Sequence, residues 1–375
     1  MKNACLRSLL LLNLRFSWLK VLVIALGLLG CLGLLVISRG DNQVEYFFVR
    51  QAIWLVISIW VFLVISSLPI QWLPSKPLLL YAVLCGVLLA VLFLGTKVNG
   101  MRGWFRFYDL CVQPSELAKP FFLLCFAGLW ANPRFRPDRA SGLAVSLLAI
   151  VFWIGLILSQ PDCGTSMVYC LAFLAMFWCG GAKAWHLCSL AGSGVVAAVF
   201  MLWRYPYIRH RLTAFFLPGP GDALGAGWQA AQMQECLSRG GWFGVSFDSS
   251  QPLLQVPFRM NDSFVASLGE LLGVFGVAPL ILLSLAWLSF CCSKAIKAGN
   301  DFQRLLYIGS GVMLSGQAFM HLGVNLGLFP TTGITLPFFS YGGSSLLASM
   351  LIIGIVDNCL EQSAGRQQPT GLEMR

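Results

Sequence analysis

The chain has 375 residues, of which 58% are hydrophobic and only 11% charged, and a mean hydropathy of +0.77, which excludes an ordinary soluble domain. Its formal charge of +10 does not indicate a nucleic-acid binder, because the basic residues are scattered among loops between apolar runs and not gathered on one domain; contact with anionic lipid headgroups accounts for the cytoplasmic ones. The 13 cysteines lie mostly within apolar runs at irregular spacing, which fits small buried hydrophobes and argues against a disulfide framework or a zinc site.

Ten runs approach the roughly 20 residues that cross a bilayer. They fall near 17–38, 47–67, 78–95, 117–131, 142–158, 165–180, 185–202, 264–290, 304–325 and 341–360. The predicted fold is all-α: one integral membrane domain over 1–375, with ten transmembrane helices and a long extracytoplasmic loop, about 203–263, between spans seven and eight. Lys2, Arg7, Arg15 and Lys20 precede a long first run without a small-residue cleavage site, so this run is read as a span and not a removable signal. Lys/Arg-rich short loops stay in the cytoplasm, here the N-terminus and the stretches 132–139, 180–186 and 292–304. Both termini are then expected on the cytoplasmic side, with 39–46, 96–116, 159–164, 203–263 and 326–340 on the outer side.

The outer segments carry the polar chemistry. In "VNGMRGWFRFYDLCVQPSELAKP" (98–120), Arg102 and Arg106 lie on a loop, Pro114 breaks the chain, and Glu116 and Lys119 share one helical face, as either an ion pair or a ligand site. Asp162, in "SQPDCGTS" (159–166), either caps the sixth span or faces a site. The long loop holds Arg204, Arg209, Arg211, Arg239 and Arg259 against Asp222, Glu235, Asp248 and Asp262. These arginines are either incidental to a translocated loop or a guanidinium cluster for an anionic ligand. Within that loop, 228–238 reads as a short amphipathic helix at the interface. Asp262 stands at the boundary of span eight, as a cap or a reactive acid, and Glu270 lies eight residues further on, on roughly the same helical face. An acid so deep in an apolar run is a functional candidate. The uncharged Gly/Pro/Thr/Ser-rich stretch 323–347 reads as irregular backbone lining a cavity.

Five motifs occur in a fixed order: "QPSELAK" (113–119), "QPDCGT" (160–165), "GWQAAQ…GGWFG" (227–244), "NDSFVASLGELLGVFG" (261–276) and "PTTGITLPFFSYGGSSL" (330–346). Together they resemble the SEDS family (shape, elongation, division and sporulation; FtsW/RodA/SpoVE) over nearly the whole chain. The resemblance implies a peptidoglycan glycosyltransferase of the cytoplasmic (inner) membrane. Such a protein polymerises lipid II, a disaccharide-pentapeptide on undecaprenyl pyrophosphate, at the outer face, together with a crosslinking class B penicillin-binding protein. The family's essential acid falls on Asp262, which would take the acceptor hydroxyl proton or hold a divalent cation, Mg or Mn, against the pyrophosphate; no organic cofactor is implied. Arg102, Glu116, Lys119, Asp162, Arg209, Gln229, Glu270 and Ser340 are the implied substrate-site residues, Glu270 supporting the cavity from within the bundle.

The sequence departs from the family pattern near this acid. Phe258, Met260 and Asn261 stand where a "PExHTDFIF"-like stretch has Glu, His and Thr; Gly103 occupies the place of an Arg before Trp104; Leu271 replaces the second acid of a "GEELG" stretch. A transporter or flippase of lipid-linked precursors, and a non-catalytic scaffold for a synthase, are the competing readings. Outward clustering of the acids, with no internal repeat, favours the enzyme over the transporter. The short N-terminal tail and C-terminus lean toward the elongation branch, while "SSQ" (249–251) and "GGSSL" (342–346) are equally at home in the division branch.

Overall fold

The computed structural model describes residues 17–37, 44–68, 75–98, 101–107, 110–216, 226–245, 254 and 256–366. Lys2, Arg7, Arg15, Asp222, Asp248 and the "SSQ" stretch lie outside them. Among the described residues, ten helices coincide with the ten apolar runs: α1 (Trp18–Ile37), α2 (Val44–Ser67), α3 (Pro77–Leu94), α4 (Pro114–Ala131), α5 (Ala140–Leu158), α6 (Cys163–Cys179), α7 (Ala184–Arg204), α10 (Phe264–Ile296), α11 (Asp301–Asn325) and α12 (Gly343–Arg366). Six stretches, Trp18–Ile37, Tyr46–Ser67, Pro77–Leu94, Ala140–Leu158, Phe264–Ile296 and Gly343–Ser363, are long and apolar enough to cross a membrane by length and composition. The other four helices are shorter or more polar. α11, for example, buries Ser310, Ser315, Gln317, His321 and Asn325.

Two further helices, α8 (Pro206–Phe216) and α9 (Ala226–Gly240), occupy the segment expected as a long loop. α9 matches the predicted amphipathic segment, and α8 was not anticipated. The expected outer loop 96–116 contains a small antiparallel sheet, β1 (Thr96–Val98), β2 (Met101–Phe107) and β3 (Leu110–Val112), in the order β1-β2-β3. Lys97 pairs with Arg102, and Arg106 with Cys111. Thr, Val, Trp and Phe suit such strands. Pro114, fixed in φ and lacking an N–H, then starts α4 at a position where no helical donor is needed.

α4, α11 and α12 form the centre of the bundle. Aromatic side chains one helical turn apart on α4, Phe122, Phe126 and Trp130, meet Tyr81, Trp153, Tyr169, Phe173 and Phe177 from α3, α5 and α6. Three of the polar tips are satisfied within the bundle: Trp130 Nε1 donates to Ser146 Oγ (2.8 Å), Tyr81 OH to the Ala149 carbonyl (2.7 Å) and Tyr169 OH to the Ser115 carbonyl (2.7 Å), whereas Trp153 Nε1 is buried with no partner among the described residues. At the far end, Lys20 of α1 meets Asp357 (3.4 Å) and Glu361 (2.7 Å) of α12. α1 also approaches the 337–339 backbone closely: a Cβ at Gly30 would lie 2.1 Å from the Phe338 carbonyl oxygen.

α10 is broken at Gly273, whose φ of 64° and ψ of −158° leave the helical region. The freed backbone groups bond the turn that follows α9: Val245 N donates to the Glu270 carbonyl (2.9 Å), and Val274 N donates to that of Gly241 (3.0 Å). This re-pairing makes a helix break tolerable in an apolar setting. The twelve described cysteines are free thiols; six of them are buried, as expected of packing residues, and Cys188 is exposed.

Candidate active site

Asp262 lies in the turn that leads into α10, and the turn is fixed from two sides. Internally, Asn261 N and Ser263 N donate to the Phe258 carbonyl (2.9 and 3.2 Å), with Phe258 at a φ of +52°. Externally, three successive carbonyls are held by the segment 325–341. Tyr341 N donates to the Met260 carbonyl (2.8 Å), Ser340 Oγ to Asn261 (3.0 Å) and Asn325 Nδ2 to Asp262 (2.8 Å). The departures at Phe258, Met260 and Asn261 therefore fall on residues whose main chain, more than their side chains, shapes the turn.

The Asp262 carboxylate itself makes no hydrogen bond or ion pair among the described residues. It does not cap α10, whose N-cap residue is Ser263. Loss of water pushes its pKa up to about 6, partly countered by the positive charge of Arg211, although its surface is not completely closed to solvent. A held main chain and an unengaged carboxylate are what a reacting acid requires.

Two elements form the visible walls. Gly333, with φ +74°, presents its backbone to the acid, so that a Cβ there would lie 3.8 Å from Asp262 Oδ2. From α8, Arg211 donates to the Thr331 carbonyl (2.7 Å) and exerts its charge on both Asp262 and Cys163, at the mouth of α6. Arg211 is thus a cation at this site. Arg209, two residues earlier, is exposed.

A second polar group lies deeper, between α4, α6, α11 and α12. Lys119, 1% exposed, meets Glu116 at 2.5 Å and Gln317 Oε1 at 2.7 Å. Gln317 Nε2 in turn donates to the Thr335 carbonyl (2.9 Å). Asp162 caps α6 by accepting from Thr165 N (3.0 Å) and also accepts from Gln113 Nε2 (2.9 Å); burial raises its pKa against the pull of the Thr165 N–H. Both expected structural roles, ion pair and cap, are present. The pair also links α4 through Gln317 to the wall near Asp262.

The remaining predicted residues are placed elsewhere or act through backbone. Arg102 donates to the Leu92 carbonyl (3.2 Å) at the end of α3. Ser340 holds the turn, accepting from Leu336 N (3.0 Å) while donating to Asn261. Gln229, on α9, has a buried Nε2 with no partner among the described residues. Glu270 does not turn toward Asp262. Its carboxylate pairs with Arg239 of α9 (2.9 Å) and accepts from Leu254 N (3.1 Å), which fastens the outer segment to broken α10. The shared-face argument failed because Asp262 precedes the helix and so does not follow its periodicity. Sequence reading passed over Asn325 and His321, although the four-residue spacing of Gln317, His321 and Asn325 on α11 marks a polar stripe.

Among the described residues, no three His, Cys, Asp or Glu side chains converge on a metal position. Asp262 fits a divalent cation only as a single carboxylate ligand, with water and substrate phosphate completing the shell, an arrangement familiar for Mg²⁺.

The fold and site define a polytopic membrane protein in which Asp262, unengaged among the described residues, lies beside an arginine. The FtsW/RodA/SpoVE profile of cell cycle proteins matches residues 14–365, and the chain belongs to that family. It is 33% identical over 325 residues to a probable peptidoglycan glycosyltransferase FtsW of Pseudoalteromonas translucida, covering 85% of this chain and 81% of the relative. It is 34% identical over 356 residues to one of Thioalkalivibrio sulfidiphilus, covering 92% and 88%. Among solved structures, a chain from a study of coordinated polymerization and crosslinking by a peptidoglycan synthase complex superposes with a TM-score of 0.78 at 28% identity, covering 95% of this chain and 99% of that one. The rod shape determining protein RodA of Thermus thermophilus superposes with a TM-score of 0.69 at 26% identity, covering 93% and 98%.

Proposed function

We propose that this protein is a peptidoglycan glycosyltransferase that polymerises lipid II at the outer face of the cytoplasmic membrane, with Asp262 as the reacting acid. The observation that carries the reading is the Asp262 carboxylate, unengaged among the described residues, beside Arg211, on a turn whose carbonyls at Met260, Asn261 and Asp262 are each held by a hydrogen bond. Glycosyl transfer from a lipid pyrophosphate forms a bond between an acceptor hydroxyl oxygen and an anomeric carbon, breaks the bond from that carbon to the pyrophosphate, and releases a proton. A carboxylate with its pKa near 6 accepts that proton at neutral pH. Arg211 offers a fixed positive charge to the departing phosphate oxygens. A divalent cation, Mg or Mn, bound through Asp262 would neutralise the same oxygens, and the two roles of the acid are separable by metal dependence. Both termini face the cytoplasm, and a class B penicillin-binding protein is the partner that crosslinks the product. Relatives named FtsW draw the reading toward cell division.

The test is to reconstitute the purified chain with lipid II, with and without Mg²⁺ and a partner synthase, and resolve the product as glycan ladders. Ladders support the reading. Labelled precursor that crosses vesicles without being polymerised would replace the enzyme by a flippase, and no ladder from folded protein with its partner would favour a scaffold.

A further inference from the structure

We propose that His321 is a positioning residue for Asp262, acting through its Nδ1–H bond to the Ile334 carbonyl; this rests on Asp262 being the reacting acid. His321 is 1% exposed on α11, and Nδ1 lies 2.7 Å from the Ile334 carbonyl oxygen. A carbonyl oxygen only accepts, so this contact makes Nδ1 the protonated nitrogen. Nε2 is buried with no hydrogen-bond partner. A ring kept in a closed, largely apolar place with one nitrogen unused is explained by what its other nitrogen holds.

That nitrogen holds the peptide beside the site. Ile334 follows Gly333, whose backbone faces the Asp262 carboxylate. One turn earlier on α11, Gln317 holds the next carbonyl, that of Thr335 (2.9 Å). One turn later, Asn325 Nδ2 donates both to the His321 carbonyl (2.9 Å) and to that of Asp262 (2.8 Å), while Asn325 Oδ1 accepts from Ala266 N (3.0 Å). The stripe 317–321–325 thus fixes the wall opposite the acid and the turn that bears it to one rigid helix. His321 touches both halves, the wall through its ring and the turn through Asn325. It contacts neither the carboxylate nor any reacting atom, so its effect belongs to geometry.

Three variants of the full-length protein, assayed for lipid II polymerisation with the partner synthase, separate this role from mere packing. Misplacing a reacting group by about 1 Å can cost on the order of a hundredfold in rate. His321→Leu fills similar volume without a donor and should lower kcat about ten- to a hundredfold with KM for lipid II changing less than about twofold. His321→Asn, whose amide N–H falls near Nδ1, should restore kcat to within about threefold of wild type, whereas His321→Gln, whose amide falls near Nε2, should stay as low as the Leu variant. A Leu variant with wild-type kcat, an Asn variant no better than Leu, or rescue by Gln and not Asn would each overturn the proposal. If the Leu variant does not fold, the order of Asn and Gln decides the matter alone. An Asp262→Asn control that still polymerises would instead overturn the role given to Asp262, independently of that order.

Discussion

Asn325 and Asp262 are joined main chain to side chain: Asn325 Nδ2 donates to the Asp262 carbonyl at 2.8 Å, and Asn325 Oδ1 accepts from Ala266 N at 3.0 Å. One buried amide therefore spans the start of α10 and holds the acid-bearing turn onto α11. Removing it leaves the Ala266 donor without its partner, at a cost of roughly 1–3 kcal/mol. Asn325→Ala is expected to lower the melting temperature in detergent by several degrees and to reduce polymer yield further than that loss of folded protein explains. Thermal melts alongside activity at a temperature where the variant is folded provide the check.

The pH dependence follows from the surroundings of Asp262. As the proton acceptor it acts ionised, so the rate should rise through about pH 6 and level off above it. Arg211 opposes the effect of burial, so Arg211→Gln should move the midpoint to higher pH. Stability runs in the opposite direction. A carboxyl whose folded pKa lies above its unfolded value contributes stability below the unfolded pKa, about 4, and this contribution is lost as pH rises through about 6. Asp262→Asn should therefore melt at or above the wild-type temperature at pH 7 to 8 while losing activity.

Lys119 and Glu116 test how much of the inner polar group is structural. Lys119→Met leaves the buried Glu116 without its cation and is expected to cost about 3–5 kcal/mol. The double variant Lys119→Met, Glu116→Leu should recover much of that stability, as measured by chemical or thermal unfolding. Any activity still missing in the double variant then reports the lost bond to Gln317 and, through it, the Thr335 wall.

Gly30→Ala tests the seat of α1. Its Cβ would meet a backbone oxygen that a rotamer change cannot move, so an overpacking cost of about 1–3 kcal/mol is expected. Melting temperature provides the readout, and the same substitution at Gly86 on α3, where a Cβ meets nothing within 4 Å, serves as the control.

The spans and the order of the motifs were legible because apolar length and turn residues are local signals. Ten runs became ten helices, although α4, α6 and α11 owe their place as much to packing as to hydropathy. The cap at Asp162 and the pair at Lys119 and Glu116 were legible for the same reason, since their partners lie three residues away. What was not legible depends on contacts distant in sequence. α8, which brings Arg211 rather than Arg209 to Thr331, required tertiary context. The attachment of Glu270 to Arg239 and Leu254 depends on the break at Gly273 and the turn after α9, which no periodicity reveals.

The most direct test of the central claim is the initial rate of lipid II polymerisation by wild type and Asp262→Asn at pH 7.5, on protein shown by its melting curve to be folded. Loss of about 10²–10⁴-fold in kcat, with the melting temperature maintained, is the predicted result for a residue that handles the reacting proton. A variant that polymerises at the wild-type rate would contradict it, and Asp262 would then be only part of the turn that Asn325, Ser340 and Tyr341 hold in place.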